Sequence, residues 1–347
     1  MVPQLGIVGE QEGLVLRPPR ASDAQTLFEI AEDPAELRFG RPAFVPRYEA
    51  PAALHESIGR MRSEHAAGKP SSFVLAAVGD PGPALGTIGW RLDWGPGMGV
   101  ADVGYSVHPR YRGRGLATAA LRLLTAWLTS PAPGPQLARV QLDHSVHNVA
   151  SCRVAAGAGL GREGVRRGFL PLRAGVEPDA AIVRHDVCMH GLLATDLPVA
   201  GRRRAGAIVQ RGTKIAAMRR ERAGRRYHVM IGGGVEPDES VPAAAARELH
   251  EELGLTATVR PTDLAVSVWH RQGWQHYYWV RGYTGRFGSG TGPEFADTAG
   301  GTDGRGTYEP VWLDLADPVG LGAADLKPAA LVGLLRRAAG MDASPAE

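Results

Sequence analysis

Apolar residues recur along this chain with two periods, and the alternation between them predicts an α/β protein in two parts. In the first part, short apolar runs at residues 14–16 and 72–78 predict strands, and 21–31 a helix. Residues 86–93 and 100–107 predict a pair of strands. Over 116–128 the residues Leu116, Ala120, Leu123, Leu124 and Trp127 return at helical spacing, giving one face for a sheet. Strands at 140–142 and 183–189, with a helix near 149–156 between them, complete a mixed pattern. The stretch LATDLPVAGRRR at 193–204 combines Pro, Gly and a basic run, so it predicts a linker between domains at 12–192 and 205–340. In the second part, strands are predicted at 207–210, 214–219, 227–230, 257–259, 265–269, 275–283 and 308–313, with helices at about 240–253 and 328–338. A Gly-, Thr- and Asp-rich stretch between 284 and 307 has too little apolar surface to pack and predicts a long loop.

A length of 347 residues exceeds what one hydrophobic core usually organises, in line with two domains. The apolar fraction of 44% and charged fraction of 22% are those of a globular protein, and the net charge of +3 suits anionic small molecules without calling for nucleic acid. Cys152 and Cys188 are too few for a disulfide scaffold and wrongly spaced for a zinc site, so both are read as reduced and structural. The first residues, MVPQLGIVGEQEG, lack the pattern of a secretory signal, and no apolar run is long enough to span a bilayer, which predicts a cytoplasmic location and no membrane partner.

The chemistry concentrates in GGVEPDESVPAAAARELHEELGL, residues 233–255. Pro242 suits a first helical turn and Gly254 a helix end. At 3.6 residues per turn Glu248, Glu251 and Glu252 share one face, with Ala246, Leu249 and Leu253 on the other. Carboxylates crowded within one turn repel each other, and a hard cation such as Mg²⁺ or Mn²⁺ relieves that repulsion. With Gly233, Glu239, Arg247, Glu248, Leu249, Glu251, Glu252, Gly254 and Leu255 at fixed positions, this stretch resembles the Nudix box of MutT-like hydrolases. The resemblance implies an α/β/α sandwich that hydrolyses a nucleoside triphosphate or nucleoside diphosphate-linked substrate. It implies Glu251, Glu252 and the Gly232 carbonyl as metal ligands, and Glu248 as ligand or general base. Glu239 would assist, and Arg247 would orient the carboxylates. A further acidic ligand from a later loop falls on Glu294, with Glu309 next in line. Ile231 departs from the Pro that many relatives carry. The motifs that mark ADP-ribose, NADH and coenzyme A hydrolases are missing, which favours a nucleotide. Trp269, Trp274, Tyr277, Tyr278 and Trp279 are candidates for stacking a base or for core, and Arg219, Arg220, Arg225 and Arg226 for meeting phosphates or solvent.

Upstream, VHPRYRGRGLA at 107–117 lies between a strand and the amphipathic helix. Gly113 and Gly115 let the backbone approach an anion, and the helix start aims N–H groups at it. The third glycine of a dinucleotide fingerprint is replaced by Thr118, and the GKS or GKT ending of a P-loop is absent. The segment is similar to the R/Q-x-x-G-x-G/A motif of GNAT acetyltransferases, with Arg112, Gly115 and Ala117 at its fixed positions. HNVASCRVAAGAGLGREG, at 147–164, resembles the RimJ/RimL-like branch, which acetylates protein amino termini or small amines. The resemblance implies a mixed α/β domain that uses acetyl-CoA. Val107, Arg112, Gly113, Arg114, Gly115, Leu116, Ala117 and Thr118 would form the pyrophosphate cradle, Asn148 would position pantetheine, and Ser151 would protonate the departing thiolate. The usual Tyr acid and the Phe at position 160 are missing. Asp143, His144 and His147 are the candidate bases. Taken together, the fold class is α/β (α+β) and the chain a bifunctional enzyme. The rival reading is a sensor that binds CoA and nucleotide without turnover. The sequence fixes no oligomeric state.

Overall fold

The computed structural model describes residues 6–9, 13–78, 83–93, 95–177, 179–197, 203–270, 273–292 and 306–339. They form two compact units. One holds residues 14–77 and 82–199; the other joins 1–13 and 78–81 to 200–347. Strand β1 (Gly6–Gly9) therefore belongs with the carboxyl-terminal unit.

The amino-terminal unit is built from β2 (Leu14–Arg17), α1 (Ala24–Ala31), α2 (Leu54–Ala66), β3 (Ser72–Ala77), β4 (Gly86–Leu92) and β5 (Val100–Val107). It continues through α3 (Leu116–Thr129), β6 (Arg139–Ser145), α4 (Val149–Gly157), β7 (Gly161–Arg173) and β8 (Ile182–Leu193). The sheet order is β2-β3-β4-β5-β6-β8-β7, antiparallel except between β5 and β6. That one parallel pair is short: Val100 to Asp102 face Arg139 to Gln141, and beyond them the two strands part. Helix α3 buries Ala120, Leu123 and Leu124 as the spacing predicts, together with Leu121 and Leu128, while Leu116 and Trp127 are half-buried. Helices α1 and α2 close a second core with Leu27, Ile30, Leu54, Ile58 and Val74.

In the carboxyl-terminal unit β9 (Arg204–Arg211), β10 (Lys214–Arg222) and β11 (Arg225–Val229) lead through β12 (Ile231–Gly234) to α5 (Val241–Leu253). There follow β13 (Leu255–Thr256), β14 (Leu264–His270), β15 (Gly273–Val280), β16 (Thr284–Gly285), β17 (Thr307–Asp314), α6 (Pro318–Ala324), β18 (Leu326–Lys327) and α7 (Ala330–Ala338). One path runs β18-β11-β10-β9-β15-β14-β1, with β12 on β9 and β17 on β10. Residues 257–260 are not a strand; Ala257 and Val259 instead pack as single side chains against the core. Helix α5 buries Ala244, Ala245, Leu249 and Leu253, while Ala246, expected among them, is only half-buried. At 100° per residue the buried positions Val241, Ala244, Ala245, Glu248, Leu249, Glu252 and Leu253 form one arc, with Ala245 well inside it and Ala246 just beyond its Leu253 edge. No helix among the described residues is long and apolar enough to cross a membrane.

Candidate active sites

Ser240 starts α5, its hydroxyl accepting from Ala243 N at 3.3 Å, and Gly254 ends it at φ +71°. Between these caps the helix lays its carboxylates against the glycine strand β12. Gly232 N donates to Glu252 Oε2 at 2.9 Å, and a Cβ on Gly233 would meet Glu248 Oε1 at 2.0 Å, so only glycine lets the carboxylate come this close. Glu248 and Glu252 are buried. Arg247 holds the rest together. Its Nε and Nη2 reach the two Glu239 oxygens at 3.0 and 3.1 Å, Nη2 also meets Gly234 O at 2.9 Å, and Nη1 reaches Glu248 at 2.8 Å and Glu251 at 3.0 Å. The guanidinium bound to Glu239 holds that carboxyl below the usual range, and the same contacts push Arg247 up. A cleft of about 400 Å³ opens over this cluster, lined also by Arg204, Arg220 and Tyr308. Arg204 Nη2 donates to Gly232 O at 2.7 Å, and the Arg220 guanidinium lies 4.7 Å from the centre of the Tyr308 ring.

In the amino-terminal unit Gly113 and Gly115 both take left-handed φ, +75° and +76°, and a Cβ on either would meet nothing within 4 Å. Backbone conformation, and not packing, calls for glycine there. Gly115 caps α3, whose first N–H groups have no partner within the helix and face out of its amino end. Arg112 folds back, with Nε on Val107 O at 3.0 Å and an ion pair to Asp33. Across the parting of β5 and β6, Asn148 caps α4 by accepting from Ser151 N at 3.2 Å, and Tyr105 OH donates to Ser151 Oγ at 3.1 Å. Burial pushes Tyr105 up to about 12, so the phenol stays protonated. On the other face of β5, Ser106 donates to Glu36, whose carboxyl burial raises above its ordinary range.

Two family models match the chain: acetyltransferase (GNAT) domain over residues 13–160 and NUDIX domain over 201–314. The chain carries a GNAT acetyltransferase domain followed by a NUDIX domain. No curated protein matches it. Similar solved structures include Mycobacterium smegmatis RimJ in complex with CoA-disulfide, 22% identical over 53% of this chain and 84% of that one with a TM-score of 0.45. Another is the ribosomal-protein-S5-alanine acetyltransferase of Vibrio fischeri, 18% identical over 54% of this chain and 96% of that one with a TM-score of 0.44.

Within the NUDIX domain Glu239, Arg247, Glu248, Glu251, Glu252 and Gly232 come together. Glu294 lies outside the described residues, and Glu309 pairs with Arg219 and does not line the cleft. Trp274, Tyr277, Tyr278 and Trp279 are buried, and neither they nor Trp269 line the cleft; its aromatic ring is Tyr308. Of the four candidate arginines only Arg220 lines it. Ile231 is buried core, paired with Ala207. Within the GNAT domain the glycine loop follows β5, while Asn148 and Ser151 meet at the start of α4, where Ser151 is bound by Tyr105 of β5. Of the candidate bases, Asp143 pairs with Arg166, His147 meets His185 edge-on, and His144 is buried under His190. Sequence reasoning passed over Tyr105, Glu36 and Tyr308 and read Arg204 only as the end of a basic linker run. Tyr105 and Tyr308 both stand on predicted strands, but the partner of Tyr105 lies 46 residues away.

Proposed function

We propose that the chain is a bifunctional cytoplasmic enzyme. Its NUDIX domain hydrolyses a pyrophosphate linkage in a nucleotide or nucleotide derivative with Mg²⁺ or Mn²⁺. Its GNAT domain moves an acetyl group from acetyl-CoA to a small amine or a protein amino terminus. One observation carries the first half: a single guanidinium gathers Glu239, Glu248 and Glu251 beside Glu252, which the Gly232 amide fixes.

That donor set fits a hard divalent ion. Three carboxylates share the Arg247 guanidinium with Glu252 beside them, Glu248 and Glu252 are buried, and the carboxylates and the Gly232 carbonyl offer oxygen donors. Glu251 and Glu252 would hold the ion, with Gly232 O joining them once Arg204 releases it. Bound there, the ion supplies Lewis acidity towards phosphate oxygens and a more acidic water. Arg204 and Arg220 lie where they would bind the phosphates, and Tyr308 offers a ring for the base. Glu248 takes the proton of a water that attacks phosphorus as the bond to the leaving phosphate or pyrophosphate breaks. Arg247 keeps Glu248 aimed and is a positioning residue.

In the GNAT domain the N–H groups of residues 112–118 would cradle the acetyl-CoA pyrophosphate. An amine nitrogen attacks the thioester carbon, the C–S bond breaks, and Ser151 passes its proton to the thiolate while Tyr105 replaces it. Glu36, on the opposite face of β5, receives the proton lost by the amine. Asn148 positions Ser151 through its helix cap.

A screen for Mg²⁺-dependent phosphate or pyrophosphate release over a panel of nucleotides, run on the wild type and Glu252→Gln, tests the hydrolase. No turnover, or a variant as active as wild type, refutes it. Thiol release from acetyl-CoA with a panel of amines and peptides tests the transferase; binding of CoA with no acceptor-dependent release would establish the sensor reading instead.

A further inference from the structure

Four side chains away from the NUDIX carboxylates converge inside the GNAT domain. His144 stands on β6, Cys152 in α4, and Cys188 and His190 on β8. His144 pairs directly with Cys188 across the β6–β8 ladder, so these two share a sheet face with His190, two residues further on, and α4 lowers Cys152 onto it. His144, Cys188 and His190 are buried and Cys152 half-buried. One donor atom from each lies within 4.8 Å of all the others. Cys152 Sγ is 3.9 Å from Cys188 Sγ, and each sulfur is 3.4 Å from His190 Nε2.

The two imidazoles are set in the same way. His144 Nδ1 lies 2.8 Å from Ser145 O and His190 Nδ1 lies 3.4 Å from Leu160 O, so each Nδ1 carries the hydrogen and donates it to a carbonyl. That leaves both Nε2 atoms as bare lone pairs, the arrangement that backbone carbonyls impose on metal-binding histidines. His144 Nε2 is buried with no hydrogen-bond partner among the described residues. A hydrogen-bonded cluster of thiols and His190 accounts for the other contacts and leaves this nitrogen unpaid. A disulfide needs its sulfurs at about 2.05 Å, far inside the 3.9 Å separation seen. Tetrahedral zinc, with Zn–S near 2.3 Å and Zn–N near 2.0 Å, holds its ligands about 3.3–3.8 Å apart. The two sulfur–nitrogen separations of 3.4 Å fall in that range, the sulfur–sulfur separation of 3.9 Å lies just above it, and the remaining pairs lie within 4.8 Å.

We propose that His144, Cys152, Cys188 and His190 form a structural zinc site. Zn²⁺ replaces the two thiol protons, which leave to solvent, with no change in oxidation state. The resulting Zn(Cys⁻)₂(His)₂ centre is neutral and so suits burial. Arg162 Nε donates to Cys188 Sγ at 3.2 Å, a hydrogen bond that a metal-bound thiolate accepts. Four protein ligands leave no open position, which makes the site structural. Cys152 follows Ser151 directly, so the ion would pin the first turns of α4 to β6 and β8 and hold Ser151 against Tyr105. The site itself does not depend on the transferase reading.

The full-length protein, grown with zinc and passed through a weak chelator that strips carboxylate-bound ions, is expected to keep about one zinc per chain. Exchange for Co²⁺ is expected to give the visible bands and near-ultraviolet thiolate charge transfer of a tetrahedral sulfur-ligated ion. These features should vanish in Cys152→Ser and Cys188→Ser and persist in Glu252→Gln. The two thiols should react with a disulfide reagent at least about tenfold more slowly with zinc than after its removal by a strong chelator. Wild-type protein that keeps no zinc and shows cobalt spectra without thiolate charge transfer overturns the proposal. So does a mass two hydrogens low from a Cys152–Cys188 disulfide. Both are wild-type readouts and stand whether or not the serine variants fold.

Discussion

Arg247 makes contacts in three directions at once, to Glu239, to Gly234 O and to the Glu248–Glu251 pair. Lysine keeps the charge but not the planar fork, so Arg247→Lys should satisfy one of these directions and release the others. We expect its turnover to fall about 10- to 100-fold with a higher Mg²⁺ requirement, and Arg247→Ala to fall further. Titrating rate against Mg²⁺ checks this, and a lysine variant with wild-type rate and Mg²⁺ dependence would show that charge alone suffices. His276 makes a different prediction. Burial drives its imidazole down to about 3, and Ser267 Oγ meets its Nδ1 at 2.9 Å. Its folded value lies below the unfolded one, so its stabilising contribution is complete above the unfolded value near 6.5 and is lost as pH falls towards 3, by up to about 1.4 kcal/mol per pH unit. Urea unfolding at pH 7 and pH 5 should therefore show the wild type losing more stability than His276→Gln; equal losses would refute the assignment. The carboxylates of α5 were readable from spacing because they share one helix. The role of Glu309 was not, because alternation along β17 turns Tyr308 to the cleft and pairs Glu309 with Arg219.

Helix α5 carries its own start and stop signals, and each has a measurable share. Ser240→Ala removes the acceptor for Ala243 N and should cost about 1 kcal/mol. Gly254→Ala meets both the left-handed φ of +71° and the Ser289 hydroxyl, 2.2 Å from the new Cβ, and should cost more than the roughly 1–2 kcal/mol of left-handed strain alone. Chemical denaturation of the two variants checks the order; Ser240→Ala as costly as Gly254→Ala would show that the C-terminal cap is not strained. The same logic explains which elements the sequence disclosed. Helix α3 shows a continuous apolar face, whereas α2, LHESIGRMRSEHA, buries only Leu54, Ile58 and His65 and has too few apolar positions to declare a period. Strand β7 buries Leu172 alone over thirteen residues and has no alternation to read, since it is the edge of its sheet.

Long-range assembly is where sequence reading stops. Cys152, Cys188 and the two histidines come from three elements whose meeting depends on the β6–β8 register, so linear spacing alone argued against any metal. Strand β1 is a second case: four residues at the start of the chain pair in parallel with β14, Gly6 to Gly9 against Val266 to Trp269, more than 250 positions away. Ile7 and Val8 are buried there, each side chain contributing about 1.5–3 kcal/mol by its removal from water. The carboxyl-terminal unit is thus closed by residues that precede the GNAT domain, and a fragment starting at residue 203 lacks them. Its β14 becomes an edge with unpaired amides and an uncovered apolar strip. Hydrogen exchange should show the amides of residues 264–270 losing protection in that fragment relative to the full chain, while α5 changes far less. The full chain carrying Val8→Asp, which buries an unpaired carboxylate on the same strand, should reproduce the loss. Equal protection of β14 in fragment, variant and wild type would mean that the ladder contributes nothing in solution and that the NUDIX unit is complete without β1.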